Sequence, residues 1–134
     1  MKSLNLFRAA TLTTLSILAL GSQALAKTTV CLATATGGVE SPFAVGAPMQ
    51  KSDHGTQSIF EFQTKGGMIL KAKTANSGSL RGTMLYILDS KNNNELVSSA
   101  LGVIAEQSEV GLSLSYHVPG ASYVIACELV EKTE

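Results

Sequence analysis

Apolar and polar residues alternate with a period of two along most of the chain beyond residue 26, and helical periodicity is nearly absent. Alternation of this kind is typical of strands that bury one face and expose the other. The clearest case is residues 109–118 (EVGLSLSYHV), where every second residue from position 110 onward is apolar. The opposite face of this predicted strand carries Ser113, Ser115 and His117.

Six further segments have strand character, and together they indicate an all-β protein. Residues 84–88 (MLYIL) are apolar on both faces, as expected of a central strand. Residues 96–105 fit either one bent strand or a strand with a short helical turn. About seven strands in a chain of this length predict an antiparallel β-sandwich, jelly-roll-like or immunoglobulin-like. The remaining segments are residues 28–35, 57–64, 67–74 and 121–130.

Turn residues separate these segments. Gly and Pro punctuate residues 65–67 and 119–120, and a polar Asn-rich run occupies residues 90–94. Residues 37–55 are rich in Gly, Pro and Ser and predict a long loop, within which residues 43–45 could form a short edge strand. Loops of this length are often functional.

Residues 1–26 have the layout of a cleaved secretory signal peptide. Lys2 and Arg8 precede an apolar run at residues 9–20, and an A-x-A cleavage site ends at Ala26. An uncleaved membrane anchor would need about 20 apolar residues, and this run is shorter and contains four hydroxyl side chains. The sequence therefore predicts a bacterial protein that is periplasmic or secreted, with one β-sandwich domain at residues 27–134.

Charge and cysteine content refine this interpretation. The 134-residue chain has ten basic and ten acidic residues, and two of the basic ones lie in the signal, so the exported part is slightly acidic. This balance argues against nucleic acid as a partner. Cys31 and Cys127 fall in the first and last predicted strands, and an oxidising compartment favours a disulfide between them. The alternative, a redox pair, usually has C-x-x-C spacing.

Catalytic motifs are not evident, and no cofactor is predicted. The only histidines are His54, next to Asp53 in the long loop, and His117. No Ser lies in a G-x-S-x-G turn, and two His without helpful ligand spacing do not make a zinc site. We expect His54 on a mobile loop and His117 on a solvated strand face.

Residues 89–95 (DSKNNNE) are rich in oxygen-bearing side chains, which raises the question of calcium. An EF-hand loop needs oxygen ligands at alternate positions, Gly sixth and Glu twelfth. Here Lys91 is third, Asn94 sixth and Ala100 twelfth, so that pattern fails. A polar hairpin tip is the main interpretation, and a weak calcium site at Asp89 and Asn93 is the alternative.

Glycan binding by secreted sandwiches commonly uses exposed aromatic side chains. The chain has no Trp, and alternation places most of its Phe and Tyr residues in the core. Phe43 and Tyr86 are left as candidate platforms.

Residues 57–130 resemble the bacterial pre-peptidase C-terminal domains, which are secreted jelly-roll-like β-sandwiches. Those domains are normally appended to an enzyme, so the resemblance implies an accessory or binding role. The Cys31–Cys127 pair is not part of their pattern. The residues that carry the resemblance are Phe60-Glu61-Phe62, Gly66-Gly67 before Ile69-Leu70, residues 85–89 (LYILD), Ser98-Ser99, and Pro119-Gly120 before Tyr123.

Taken together, these features favour a small exported, non-catalytic binding module that recognises a protein or glycan of the envelope or extracellular space. An assembly subunit that polymerises through an open sheet edge is the first alternative, and a small hydrolase using His54 or His117 is the second. The predicted binding surfaces are the long loop and the polar strand face, and their candidate residues are Phe43, Asp53, His54, Ser113, Ser115 and His117.

Overall fold

The computed structural model describes residues 27–131, and the predicted signal at residues 1–26 lies outside them. Residues 29–130 form a compact unit built from two antiparallel β-sheets that share one hydrophobic core, so the predicted β-sandwich is confirmed. The strands within the described residues are β1 (Lys27–Gly37), β2 (Ala44–Pro48), β3 (Gln50–His54), β4 (Gln57–Gln63), β5 (Met68–Ser77), β6 (Leu80–Asp89), β7 (Glu95–Ala105), β8 (Leu112–Val118) and β9 (Ala121–Glu131).

The strand order explains how the chain closes on itself. One sheet has the order β2-β1-β9-β8, and the other is a meander, β3-β4-β5-β6-β7. The chain crosses between the sheets twice, at the buried Met49 and through residues 106–111. The first and last strands are therefore neighbours in the middle of the four-stranded sheet.

The core follows the period-two pattern. In β4 and β5 the alternation places Phe60, Leu70 and Ala72 inside, as predicted, and β6 adds Leu85 and Ile87 from the next strand. The four-stranded sheet supplies the facing layer, with Cys31, Ala33, Ala35, Leu114, Tyr123, Ile125 and Cys127.

The predicted disulfide between Cys31 and Cys127 is present. Gly38, directly after β1, donates its backbone N–H to the Gly120 carbonyl, directly before β9. Seven residues before Gly38, Cys31 meets Cys127, which lies seven residues after Gly120, so the two strands run antiparallel. The Cα atoms of the two cysteines are 4.1 Å apart, which is the close spacing of a directly opposed pair between neighbouring strands. Both side chains face the core, so the bond ties together the two ends of the domain from inside.

The prediction of a long loop over residues 37–55 is wrong, but the short edge strand expected at residues 43–45 is present as part of β2. This segment contains a 3-10 turn (Gly38–Glu40) and the strands β2 and β3, which raises the strand number from about seven to nine. Both strands lie at sheet edges and are largely exposed, so neither needs an apolar alternation. Backbone hydrogen bonds attach β2 to β1 and β3 to β4. Such bonds do not depend on the side chains, so they leave no pattern in the sequence. His54 consequently lies on a strand, and its expected place on a mobile loop is also wrong.

The structure also refines three other predictions, on residues 109–118, β7 and β6. The strand at residues 109–118 begins only at Leu112, and Val110 is exposed in the preceding loop. β7 is one strand with a register shift against Ile87 and Leu88, so the bent-strand alternative is the correct one. β6 was expected to be covered on both faces, but Met84 on its outer face is exposed. Apolar residues on both faces predict burial only if another layer is present, and no described element covers this side.

Candidate functional site: the outer face of strands β6 and β7

An open apolar groove lies on the outer face of β6 and β7. Cross-strand register places Met84 opposite Leu101, and Leu88 opposite Leu96. Side chains from both strands line a groove of about 520 Å³. We call this surface the β6–β7 face and define it by Met84, Tyr86, Leu88, Leu96, Leu101 and Val103.

The β6–β7 face brings four exposed apolar side chains together in one patch. Leu101 is 77% exposed, and Val103, Leu96 and Met84 are also largely open to solvent. Together these four side chains present roughly 400 Å² of apolar surface, the size of patch that often marks an interaction site on a monomer.

Basic side chains border this face on one side. In β5, Lys71 lies opposite Tyr86, and Lys73 lies opposite Met84. The Lys71 ammonium is 3.7 Å from the Glu61 carboxylate of β4, so a charged row separates the apolar part of the sheet from its polar part.

β7 is also at the edge of its sheet, and it differs from the edge strands β2 and β3. β2 and β3 have five residues each and contain Pro48 or the charged pair Lys51 and Asp53. β7 has eleven residues and no charged side chain after Glu95. Short length, Pro, charge and β-bulges are the usual means of preventing strand addition. β7 is long and lacks Pro, and its charge and register shift are confined to its first residues.

A buried carboxylate connects the two sheets at one end of the domain. Glu40, only 2% exposed, follows β1, and its Oε2 accepts hydrogen bonds from the hydroxyls of Tyr123 (2.7 Å) and Thr64 (2.9 Å). Its Oε1 accepts the Gly66 N–H at 3.1 Å. We call Glu40, Thr64, Gly66 and Tyr123 the carboxylate cluster. These three donors satisfy both oxygens of the buried carboxyl group, as a buried polar group requires.

The carboxylate cluster also has a clear electrostatic consequence. Burial and the hydrogen bond to the Glu40 carboxylate raise the pKa of Tyr123 well above its ordinary value, because ionising the phenol would place two negative charges side by side. Gly66 has no side chain, and a Cβ there would overlap Glu40. The sequence showed no sign of this cluster, since Glu40 lies in an irregular segment and its partners are distant in the chain.

Asp53 and His54 do not form a catalytic pair. Successive residues of β3 point to opposite faces, so the carboxylate and the imidazole diverge. The Ser58 hydroxyl donates to Asp53 Oδ1 at 2.6 Å and lowers the pKa of that carboxyl. His54 Nε2 lies 3.3 Å from the hydroxyl of Ser52, on the other side of the strand. The neighbours in sequence thus fail to supply the orienting acid that a triad needs.

The polar face of β8 lies where the alternation predicted it. Ser113, Ser115 and His117 are exposed on the outside of the four-stranded sheet, and His117 Nδ1 is 2.9 Å from the Ser122 hydroxyl. Phe43 is exposed next to β2, at the opposite edge of that sheet. The candidate residues are therefore not brought together in one place, and a binding role for either group remains a prediction.

The hairpin tip after β6 is polar, as predicted. Asp89 Oδ1 accepts the Lys91 N–H at 3.1 Å, and Asn93 and Asn94 adopt left-handed conformations that allow the tight turn. Among the described residues, no three His, Cys, Asp or Glu side chains are grouped so as to hold a metal ion. The calcium site at Asp89 and Asn93 stays a prediction.

No protein-family model, curated protein or solved structure matches this chain. Residues 27–131 contain no helix of the length and apolar character needed to cross a membrane.

Proposed function

We propose that this protein is a small exported, non-catalytic module that acts by binding another protein through the β6–β7 face. The observation that carries the proposal is the exposed apolar surface of Met84, Leu96, Leu101 and Val103 next to a basic border. Maintaining such a surface in water is costly unless a partner covers it, and solvent-exposed apolar patches of this size mark interaction sites.

The uses of the reactive side chains support a binding role over catalysis. Asp53 accepts a hydrogen bond from the Ser58 hydroxyl in the same hairpin, and His117 lies against Ser122. The buried Glu40 carboxylate accepts hydrogen bonds that link the two sheets. None of these groups forms a nucleophile–base pair with an orienting acid. Turnover that disappears when both His54 and His117 are replaced by Ala would favour the hydrolase alternative.

Export to the periplasm or the medium is part of the proposal. The disulfide between Cys31 and Cys127 is the supporting observation, because such bonds persist in oxidising compartments. The resemblance to pre-peptidase C-terminal domains that the sequence predicts would point the same way, since those domains are secreted accessory modules. Mass spectrometry of the protein from culture fractions tests this point, and an N-terminus at residue 27 is the expected result.

Site-specific photo-crosslinking in the producing bacterium tests the binding surface. A photoreactive amino acid in place of Leu101 should give a discrete protein adduct, because Leu101 is the most exposed member of the face. The matched control is Val45, which is 73% exposed on β2 of the other sheet. Equal adducts at both positions, or none at position 101, would contradict the proposed surface.

An assembly subunit is the second candidate, and the open edge of β7 favours it. Residues 96–105 contain no charged side chain and no Pro, and they offer a template for strand addition. This function predicts long oligomers that grow by edge pairing, visible by electron microscopy. Particles of fixed, small size at high protein concentration would argue against it.

A further inference from the structure

We infer that the partner on the β6–β7 face is a second copy of this chain, and that two copies pack face to face about a two-fold axis. This inference rests on the proposed binding function and names its partner. In the dimer, Leu101 of each copy inserts into the groove of the other.

The first argument is self-complementary shape. A two-fold interface uses the same patch on both subunits, so the patch must carry both the projection and the depression that receives it. Leu101 projects from β7 with 77% of its surface exposed. It also forms one wall of a groove of about 520 Å³, whose other walls include Met84, Tyr86, Leu88 and Leu96, so the space beside each Leu101 has room for the leucine side chain of the other copy.

The second argument is area. One copy offers roughly 400 Å² of exposed apolar side chain, at the low end of what interaction patches provide. Two-fold symmetry uses this surface twice, which gives roughly 800 Å² of apolar area, somewhat below the roughly 1,000 Å² of a stable specific interface. A weak, concentration-dependent dimer is therefore the expected state.

The third argument is charge. Positions 96–105 of β7 contain no charged side chain, and neither do the outward-facing residues of β6, so packing the face against itself brings no like charges into contact. Lys71 and Lys73 lie one strand away, where they stay at the wet border of the interface. Lys71 already has a carboxylate partner in Glu61.

The primary test measures the mass of the purified chain in solution as a function of concentration, by sedimentation equilibrium. Wild type should show a reversible monomer–dimer equilibrium. Leu101→Lys places a charge in both grooves at once and should weaken dimerisation about 100-fold or more. Val45→Lys, an equally exposed apolar position on the other sheet, should dimerise like wild type. Circular dichroism confirms that each variant is folded.

A complementation experiment distinguishes this packing from other dimers. Leu101→Asp and Ser99→Lys, which alters the groove, should each be monomeric alone. Their mixture should dimerise. At one contact the aspartate introduced at position 101 of the first variant meets the lysine introduced at position 99 of the second. At the other contact, Leu101 of the second variant enters the unaltered groove of the first.

The outcomes separate this inference from the proposed function. Wild type that stays monomeric at millimolar concentration, Leu101→Lys that dimerises normally, or a mixture that stays monomeric would overturn the inference. If the chain is monomeric but the crosslink at position 101 identifies a different protein, the face is a binding surface and only the identity of the partner is wrong. If both experiments fail, the face has no binding role.

Discussion

Tyr123→Phe tests whether the carboxylate cluster holds the two sheets together. The substitution removes one hydroxyl and leaves the buried Glu40 carboxylate without the shorter of its two hydroxyl donors, at 2.7 Å. A hydrogen bond to a charged group contributes about 1.5–3 kcal/mol, and in this buried position we expect a loss of about 2 kcal/mol. That loss is a large fraction of the stability of a small domain. The melting temperature should fall by roughly 8–10 °C.

Tyr116→Phe is the matched control. Tyr116 lies on β8 directly opposite Tyr123, with ring centroids 6.3 Å apart, so the two substitutions remove the same atom from neighbouring rings. Only Tyr123 donates to the buried acid. Urea unfolding followed by circular dichroism gives the free energy of unfolding for both variants, and the control should lie within about 0.5 kcal/mol of wild type.

The pH dependence provides a second signature with a defined sign. The folded state raises the pKa of Tyr123, so the stabilisation is complete below the ordinary tyrosine pKa of about 10 and is lost as the pH rises above it. Wild type should lose stability above that pH more steeply than Tyr123→Phe. Equal stability of the Tyr123 and Tyr116 variants, or identical alkaline profiles of wild type and Tyr123→Phe, would refute the role of this hydrogen bond.

Three further predictions concern stability. Replacing Cys31 and Cys127 together by Ala should cost roughly 4 kcal/mol on the loop-entropy estimate, measured by urea unfolding, and a loss below 1 kcal/mol would show that strand pairing alone holds the ends. Gly66→Ala forces a Cβ against the buried carboxylate and should destabilise by about 2 kcal/mol, and a neutral effect in thermal melts would mean that the cluster yields freely. Arg81→Met removes a partly buried ion pair with Glu106 at 2.7 Å and should cost about 2 kcal/mol in urea, whereas an unchanged midpoint would assign the pair no structural role.

Local periodicity accounts for the part of the fold that the sequence revealed. Residues 60–63 and 70–73 alternate because β4 and β5 lie inside a sheet with one face on the core, so Phe60, Leu70 and Ala72 could be placed correctly from the sequence. The edge strand β3 was not predicted, and β2 was anticipated only as a short segment at residues 43–45. The stability of both strands comes from backbone hydrogen bonds to a neighbour, which any side chain permits.

The candidate site was largely invisible in the sequence for a related reason. Residues 84–88 are apolar on alternate and intervening positions alike, and this pattern cannot tell a covered face from an exposed one. The same residues could have been a buried central strand. Only the absence of a covering layer in the described structure turns Met84 and its neighbours on β7 into a surface.

The sequence alone determined the fold class, the polar face of β8 and the pairing of Cys31 with Cys127. These follow from local alternation and from the small number of cysteines, which are properties of short segments or of composition. Tertiary structure alone decided which apolar face stays open and which acid is buried. Glu40 and Tyr123 are 83 positions apart, and contacts over such distances arise from how the sheets stack, which no local pattern encodes.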